Sequence, residues 1–328
     1  GAISAGASAV VTDPEGAAII KGLTGVEVPL LIVNNVSSRL GEIAAEVYGN
    51  PARDLRTYAI TGTNGKTTTA FLLEYILASA GRVTGLIGTV TLRLAGHEIP
   101  AAMTTPMPAD FQRLLADLVD RGGSDLVIEA SSHALAQGRT DPVCFDVAGF
   151  TNLTQDHLDF HNTFEEYFDA KASLFTRRRS RRAVVCVDDE WGRRLLTKAI
   201  DELGAENVLA LTVQGTLPDG ARGWKASAVP GAGHTEITLE STDGETLRVS
   251  TALPGSFNVA NVALAVIMAC ASGLRPEDLP SDISPAVPGR MEVISHNATA
   301  SAESVLRSAG FGQEEIDSTT LPPEKRLD

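Results

Sequence analysis

From residue 57 onward, short continuous apolar runs alternate with stretches whose apolar residues recur every three or four positions. Runs of the first kind read as strands buried on both faces, and stretches of the second kind as amphipathic helices. The strands predicted in this way are Thr57–Thr61, Val83–Thr91, Asp125–Ala130, Cys144–Phe150, Ala183–Val187 and Val208–Thr212. The predicted helices are Lys66–Ala80, with Phe71, Leu72, Tyr75 and Ile76 on one face, Pro108–Arg121 and Phe164–Phe175. Repetition of strand, loop and helix predicts an α/β fold, a doubly wound parallel sheet covered on both faces. Residues 224–251 change to period-two alternation around Asp243-Gly244, a hairpin signal and hence a small antiparallel insertion. Ser256–Ser272 reads as an Ala-rich helix.

Upstream, residues 7–12 and 28–33 read as short buried strands. Ser37 or Ser38 can cap a helix carrying Leu40, Ile43, Ala44 and Val47, which Gly49 ends. Asn50-Pro51 breaks the pattern, and residues 50–56 read as a linker. The expected organisation is a partial N-terminal α/β domain over 1–56, a central domain over 57–292, and a remnant or replacement of a third domain over 293–328 with a loose acidic tail. The chain opens in what reads as mid-domain sequence, so an N-terminal piece is expected to be missing.

Composition narrows the function class. The 328 residues are 43% hydrophobic and 21% charged, which is the profile of a globular protein of about two domains. Aromatics are only 5%, so the core must be mainly Ala, Val, Leu and Ile. The balance of 27 Lys+Arg against 41 Asp+Glu gives −14, which repels a nucleic-acid backbone but permits a local basic pocket. The run Arg177-Arg178-Arg179 with Arg181-Arg182 therefore reads as a solvated loop, not a nucleic-acid patch. Cys144, Cys186 and Cys270 are far apart, each in an apolar run, and read as small buried hydrophobes in a reducing, cytoplasmic setting. The apolar run Val259–Cys270 is too short for a membrane span. A monomer is expected.

The strongest chemical signal is Thr61-Gly62-Thr63-Asn64-Gly65-Lys66-Thr67-Thr68-Thr69, which follows an apolar strand and opens a helix. That is the setting of a phosphate loop: glycines let backbone N–H groups converge on phosphate oxygens, and the helix aims its positive end at the same point. Lys66 would neutralise the β- and γ-phosphates and the Thr67 hydroxyl would hold Mg²⁺. The motif is a shortened Gly-x-x-Gly-Lys-Thr, with Ile60 where the longer pattern has glycine. Glu129, at the end of its strand, is a candidate second metal ligand or an ordinary exposed acid. Asp156-His157-Leu158-Asp159-Phe160-His161 can hold a metal or cap a helix. Zinc is disfavoured, since no cysteine or third histidine is near. Lys171, read from its neighbours alone, is a snorkelling surface lysine.

Taken together and in order, the phosphate loop, Thr104-Thr105-Pro106, Glu129-Ala130-Ser131-Ser132-His133-Ala134-Leu135 with Gln137 and Arg139, Asn152-Leu153-Thr154-Gln155-Asp156-His157, Lys171, Gly255-Ser256-Phe257-Asn258 with Asn261, and Pro288-Gly289-Arg290-Met291-Glu292 resemble the Mur ligase family. Within it, the Ser-Ser-His-Ala-Leu-x-Gln-x-Arg block resembles the members that add the third residue of the peptidoglycan stem peptide. The resemblance implies an ATP-dependent amide ligase with Mg²⁺. It would add a diamino acid, meso-diaminopimelate or L-lysine, to UDP-N-acetylmuramoyl-L-Ala-D-Glu through an acyl phosphate. By resemblance, Thr104, Thr105, Ser131, Gln137 and Arg139 contact the muramoyl dipeptide, and Met103 stands where the family often has Asn. Glu129, His157 and Thr67 would hold Mg²⁺. Lys171 would carry a carbamate and hold a second Mg²⁺, which reverses its reading as a surface residue. Asn258 and Asn261 would lie on the adenine side, and Arg290 at the hinge to the third domain, whose own motifs are absent from residues 293–328. Two other readings stay open: a nucleotide- or UDP-sugar-binding module without ligase activity, and a folylpolyglutamate-type ligase.

Overall fold

A computed structural model describes residues 3–22, 28–101, 103–154, 161 and 163–288. His157, its flanking acids, Arg290 and the 293–328 segment lie outside the described residues. Strands β1 (Val10–Thr12) and β2 (Leu30–Ile32) pair in parallel as a separate two-stranded sheet, with α1 (Pro14–Lys21) between them and α2 (Val36–Val47) after them. The cap of α2 is Asn35 and not Ser37 or Ser38. Asn35 holds the extended backbone a cap needs, and its Oδ1 accepts from Ser38 N at 3.0 Å.

After a 3₁₀ turn at Pro51–Asp54, the chain continues through β3 (Arg56–Thr61), α3 (Lys66–Ser79), β4 (Thr84–Ile87), β5 (Leu92–Leu94), β6 (His97–Ile99), α4 (Pro108–Asp120), β7 (Asp125–Glu129), α5 (Ser132–Ala136) and β8 (Phe145–Phe150). Then follow α6 (Phe164–Ala172), β9 (Ser180–Cys186), α7 (Glu190–Leu203), β10 (Val208–Thr212), β11 (Gly223–Pro230), β12 (Thr235–Ser241), β13 (Thr246–Thr251) and α8 (Phe257–Ala271). These strands form one eleven-stranded sheet in the order β13-β12-β11-β10-β9-β8-β3-β7-β4-β5-β6. Neighbours from β11 to β4 run parallel, and antiparallel hairpins close both edges.

One expectation is corrected here and two are refined. The strand read over 83–91 stops at Ile87: Gly88 N donates to Thr91 O, and the chain reverses into β5 and β6. The small antiparallel segment is β11, β12 and β13, and β11 joins it to the main sheet by pairing in parallel with β10. The arginine run is solvated at Arg177, Arg178, Arg181 and Arg182, which are exposed, while Arg179 is half-buried. Arg179 holds Asp141 through Nε at 3.0 Å and Nη2 at 3.2 Å, Arg182 donates to Ala271 O, and Arg181 and Arg182 already belong to β9. Helices α5 and α7 have no counterpart in the pattern reading. α7 is capped by Asp189, which accepts from Gly192 N at 2.6 Å, and buries Leu195, Leu196, Ala199 and Leu203.

Period-two alternation divides each central strand between two cores. In β3, Tyr58 and Ile60 face α3 and α8, while Ala59 faces the layer that contains α4, α6 and α7. β7 splits the same way, with Val127 on the first side and Leu126 and Ile128 on the second. Helix α8 is buried around most of its circumference between the sheet and α3, which explains its near-absence of polar residues. Burial pushes the thiols of Cys186 and Cys270 upward, the latter to about 11, so both are inert apolar side chains.

At the N-terminal edge of the sheet, Asp125 is fully buried and accepts from Ser124 Oγ at 2.7 Å. The Tyr58 hydroxyl lies 3.1 Å from its Oδ1, and Arg82 stands 3.8 Å away. Burial outweighs these partners and raises the carboxyl above its ordinary range. The folded chain therefore holds this proton more tightly than the unfolded one, and its contribution to stability falls as pH rises from the ordinary carboxylate value through the raised one. Urea denaturation of Asp125→Asn alongside the parent from pH 4 to 7 is expected to move the difference in favour of the variant as pH rises. A difference that stays level, or moves the other way, would assign Asp125 ordinary carboxylate behaviour.

Candidate nucleotide-binding site

The site lies at the C-terminal ends of β3, β7, β8 and β4, where the crevice of an open α/β sheet takes its ligands. β3 ends at Thr61, and the loop Gly62–Gly65 leads into α3 at Lys66. Gly65 has φ +87°, and a Cβ there would run into the Asn261 carboxamide of α8, so only glycine fits. No side chain caps α3, which leaves its N-terminus turned to the crevice.

The loop is clamped by the segment after β8. Thr63 N donates to Asn152 O at 2.9 Å, Asn64 N donates to Asn152 Oδ1 at 3.0 Å, and Asn152 Nδ2 returns a bond to Asn64 O at 3.1 Å. Thr154 N donates to Thr63 Oγ1 at 3.0 Å, and Asn64 Nδ2 donates to Thr154 Oγ1 at 3.2 Å. From α6, the Tyr167 hydroxyl meets Thr63 Oγ1 at 3.1 Å.

Two lysines converge on this loop. Lys66 Nζ donates to Gly62 O at 3.0 Å and to Thr63 O at 2.8 Å, and Lys171 Nζ donates to the same Gly62 O at 2.7 Å. Lys171 is 1% exposed, with its ammonium 4.5 Å from the centre of the Tyr167 ring. Its reading as a surface lysine is thereby overturned: it comes from α6 into the protein, one helical turn after Tyr167.

Glu129 is wholly buried and not an exposed strand-end acid. Its Oε2 accepts from Thr67 Oγ1 at 2.9 Å, and its Oε1 accepts from Thr89 N at 2.9 Å. The Thr89 hydroxyl sits 3.2 Å from Glu129 Oε2 and 3.1 Å from Thr104 Oγ1. Thr105 Oγ1 donates to Glu129 O at 2.8 Å and accepts from Ser131 N at 3.2 Å, while Ser131 Oγ caps α5. Arg139 donates to Thr105 O at 3.1 Å and to Gln137 Oε1 at 2.8 Å. The five residues expected to contact substrate thus form one connected strip running away from Glu129.

Asn258 and Asn261 are buried. Asn261 Nδ2 donates to Asn258 Oδ1 at 2.9 Å, and Thr69 Oγ1 donates to Asn261 Oδ1 at 3.3 Å. Their carboxamides brace α8 against the loop and α3. Thr68 is half-buried in the first turn of α3. Thr89, Asn152, Thr154 and Tyr167 were not picked out as site residues from the sequence. Of these, Thr89 follows Gly88 directly after a strand, a position from which it was recoverable. Among the described residues no three or more His, Cys, Asp or Glu gather as a metal set, and no helix is long and apolar enough to cross a membrane.

Residues 60–269 match the family model of the Mur ligase middle domain. The chain belongs to the Mur ligase family. It is 42% identical over 317 residues to UDP-N-acetylmuramoyl-L-alanyl-D-glutamate--2,6-diaminopimelate ligase of Streptomyces coelicolor, with 92% of this chain and 60% of that protein covered. It is 45% identical over 298 residues to the Corynebacterium efficiens protein of the same name, covering 89% of this chain and 54% of that one. The chain therefore spans little more than half the length of these relatives. A solved structure of a UDP-N-acetylmuramoyl-L-alanyl-D-glutamate--2,6-diaminopimelate ligase superposes with a TM-score of 0.69 at 27% identity, covering 89% of this chain and 56% of that chain. The apo form of FPGS from L. casei shares the fold, with a TM-score of 0.63 at 17% identity.

Gly65→Ala is expected to weaken ADP binding by at least about tenfold and to lower unfolding stability by about 1–3 kcal/mol, since it adds both a left-handed alanine and a clash with Asn261. Calorimetric titration and urea denaturation of the variant check both effects. Parent-like binding would remove Gly65 from the nucleotide site.

Proposed function

We propose that this chain carries the ATP-binding and acyl-activating centre of a 2,6-diaminopimelate-adding amide ligase acting on UDP-N-acetylmuramoyl-L-Ala-D-Glu. The reading rests above all on one observation: two lysines from different elements meet at Gly62 O beside an uncapped helix, whose Thr67 bonds the buried Glu129 of the neighbouring strand. The names of the relatives support the substrate assignment.

The residues fit ATP and Mg²⁺. Glycines at the loop let it pack tightly against Thr151, Asn152 and Asn261, and the uncapped α3 N-terminus with Lys66 suits phosphate oxygens. The Thr67 hydroxyl and the Glu129 carboxylate are hard oxygen donors of the kind Mg²⁺ prefers, with His157 and a carbamylated Lys171 as the other proposed ligands. When bound, Mg²⁺ would neutralise charge on the phosphates. Lys66 would leave its loop carbonyls for the β- and γ-phosphates, and Thr68, Asn64 and Thr63 would line the loop. Asn258, Asn261 and Arg290 belong to the adenine and hinge side of this reading. Thr104, Thr105, Ser131, Gln137 and Arg139 would hold the muramoyl dipeptide so that its D-Glu side-chain carboxylate meets the γ-phosphorus. Phosphoryl transfer to that carboxylate gives an acyl phosphate. The amine of the diamino acid then attacks the acyl carbon, and phosphate departs with the C–O bonding electrons. The division into 1–56, 57–292 and 293–328, and a cytoplasmic location, belong to the same reading.

ADP release measured with the muramoyl dipeptide, ATP and 2,6-diaminopimelate is expected to exceed the release with any one component withheld. ATP binding by calorimetry without ADP release would favour a binding module instead. Lys171→Ala is expected to lower turnover at least about a hundredfold, with partial rescue by short carboxylic acids that replace the lost anion. An unchanged rate would remove Lys171 from the reaction.

A further inference from the structure

The carboxylate of Glu129, wholly buried at the end of β7, is gripped at both oxygens. Thr67 Oγ1 donates to Oε2 at 2.9 Å, Thr89 N donates to Oε1 at 2.9 Å, and the Thr89 hydroxyl stands 3.2 Å from Oε2. Thr89 comes this close because glycine precedes it: a Cβ on Gly88 would lie 2.2 Å from Glu129 Oε1. Gly88 N donates to Thr91 O at 3.0 Å, which turns the chain back toward β5 and sets residue 89 against the carboxylate.

The two threonines differ in what they can do. Thr67 belongs with Glu129 to the proposed cation site. Thr89 stands outside that donor set, on the turn between β4 and β5, and reaches one carboxylate oxygen through its backbone and the other through its hydroxyl. The terminal torsion of a glutamate is broad, and a partner that engages both oxygens stops the carboxylate from swinging.

The same hydroxyl lies 3.1 Å from Thr104 Oγ1. A hydroxyl has one proton to give, and an ionised carboxylate accepts only and makes the stronger, charge-assisted bond. The Thr89 proton therefore goes to Glu129, and the contact between the two hydroxyls is closed by the proton of Thr104. A chain of hydrogen bonds then runs from Thr104 through Thr89 to Glu129. Thr89 is exposed and Thr104 half-buried, so water competes for both hydroxyls. A ligand that covers Thr104 and shuts out that water fixes both rotors, and Glu129 with them.

We propose that Thr89 is the positioning residue of Glu129 and that, with Glu129 assigned to Mg²⁺ and Thr104 to the muramoyl dipeptide as in the proposed function, it couples the two sites so that each, once filled, tightens the other. Mn²⁺ is the probe of the cation site. Its free concentration is read by electron paramagnetic resonance at saturating ADP, with and without UDP-N-acetylmuramoyl-L-Ala-D-Glu.

In the parent chain the dipeptide is expected to tighten Mn²⁺ binding at least about fivefold. Thr89→Val keeps the shape and the backbone bond and lacks the hydroxyl. It is expected to weaken Mn²⁺ binding about tenfold and to reduce the dipeptide's effect below about twofold, with the thermal midpoint of the parent. Thr89→Ser is expected to restore both affinities. Should Thr89→Val misfold, Thr89→Ala, which adds no bulk, decides. Parent-like Mn²⁺ affinity in the variant, or a dipeptide effect as large as the parent's, overturns the role of Thr89 and leaves the ligase reading standing. A parent chain in which the dipeptide does not change Mn²⁺ binding overturns it too, and ADP release by the same preparation then shows whether the ligase reading falls with it.

Discussion

The carbonyl oxygen of Gly62 is the point on which the site turns. Lys66 arrives from the loop's own helix and Lys171 from α6, and both ammonium groups donate to it. Two positive charges that share one acceptor lie within about 6 Å of each other. At an effective dielectric near 20 they repel by about 3 kcal/mol, and the N-terminal end of α3 adds positive potential at the same place. Among the described residues, the carboxylate of Glu129 is the buried anion on the adjoining strand, and hydrogen bonds from Thr67 and Thr89 already engage it. On the proposed reading a triphosphate would engage Lys66, and carbamylation would turn Lys171 from a competitor of Lys66 into its counter-charge.

Rigidity comes from the neighbours of β3. The loop cannot collapse onto the lysines, because Asn152 and Thr154 hold it from β8's side and Asn261 stands where a side chain at Gly65 would go. Tyr167 touches both halves of the problem, through its hydroxyl to Thr63 and through its ring to the Lys171 ammonium. The residues that shape the loop therefore come from outside it, from the segment after β8, from α6 and from α8.

That division explains what the sequence could and could not reveal. The loop, α3 and the strand ending in Glu129 were legible because each is written in consecutive residues, as a glycine pattern, a helical period or an apolar run. Val208–Thr212 was read to the residue for the same reason. Thr89 and Tyr167 were not, since their partners lie 40 and 104 positions away and no local pattern encodes such a meeting. Lys171 was misread from its neighbours because a lysine in a half-polar helix has no local mark of burial, and only the family resemblance corrected it. The β5–β6 hairpin escaped because Gly88 was taken as part of a continuing strand, when its close approach to Glu129 and its bond to Thr91 end it.

The fold alone does not choose among activities, since FPGS shares it at 17% identity. The relatives' names support the substrate assignment, and on the proposed reading the strip from Glu129 through Thr105, Ser131 and Arg139 would hold that substrate. Thr105 bonds the backbone of Glu129 itself, and Arg139 bonds the backbone of Thr105. Residues assigned to the acyl acceptor are thus tied to the same strand end that presents the proposed metal carboxylate, so a shift of one carries the other with it. For a reaction in which a carboxylate must approach a phosphorus in line, an error of an ångström is costly. One strand end to which both positions are tied removes a large source of that error.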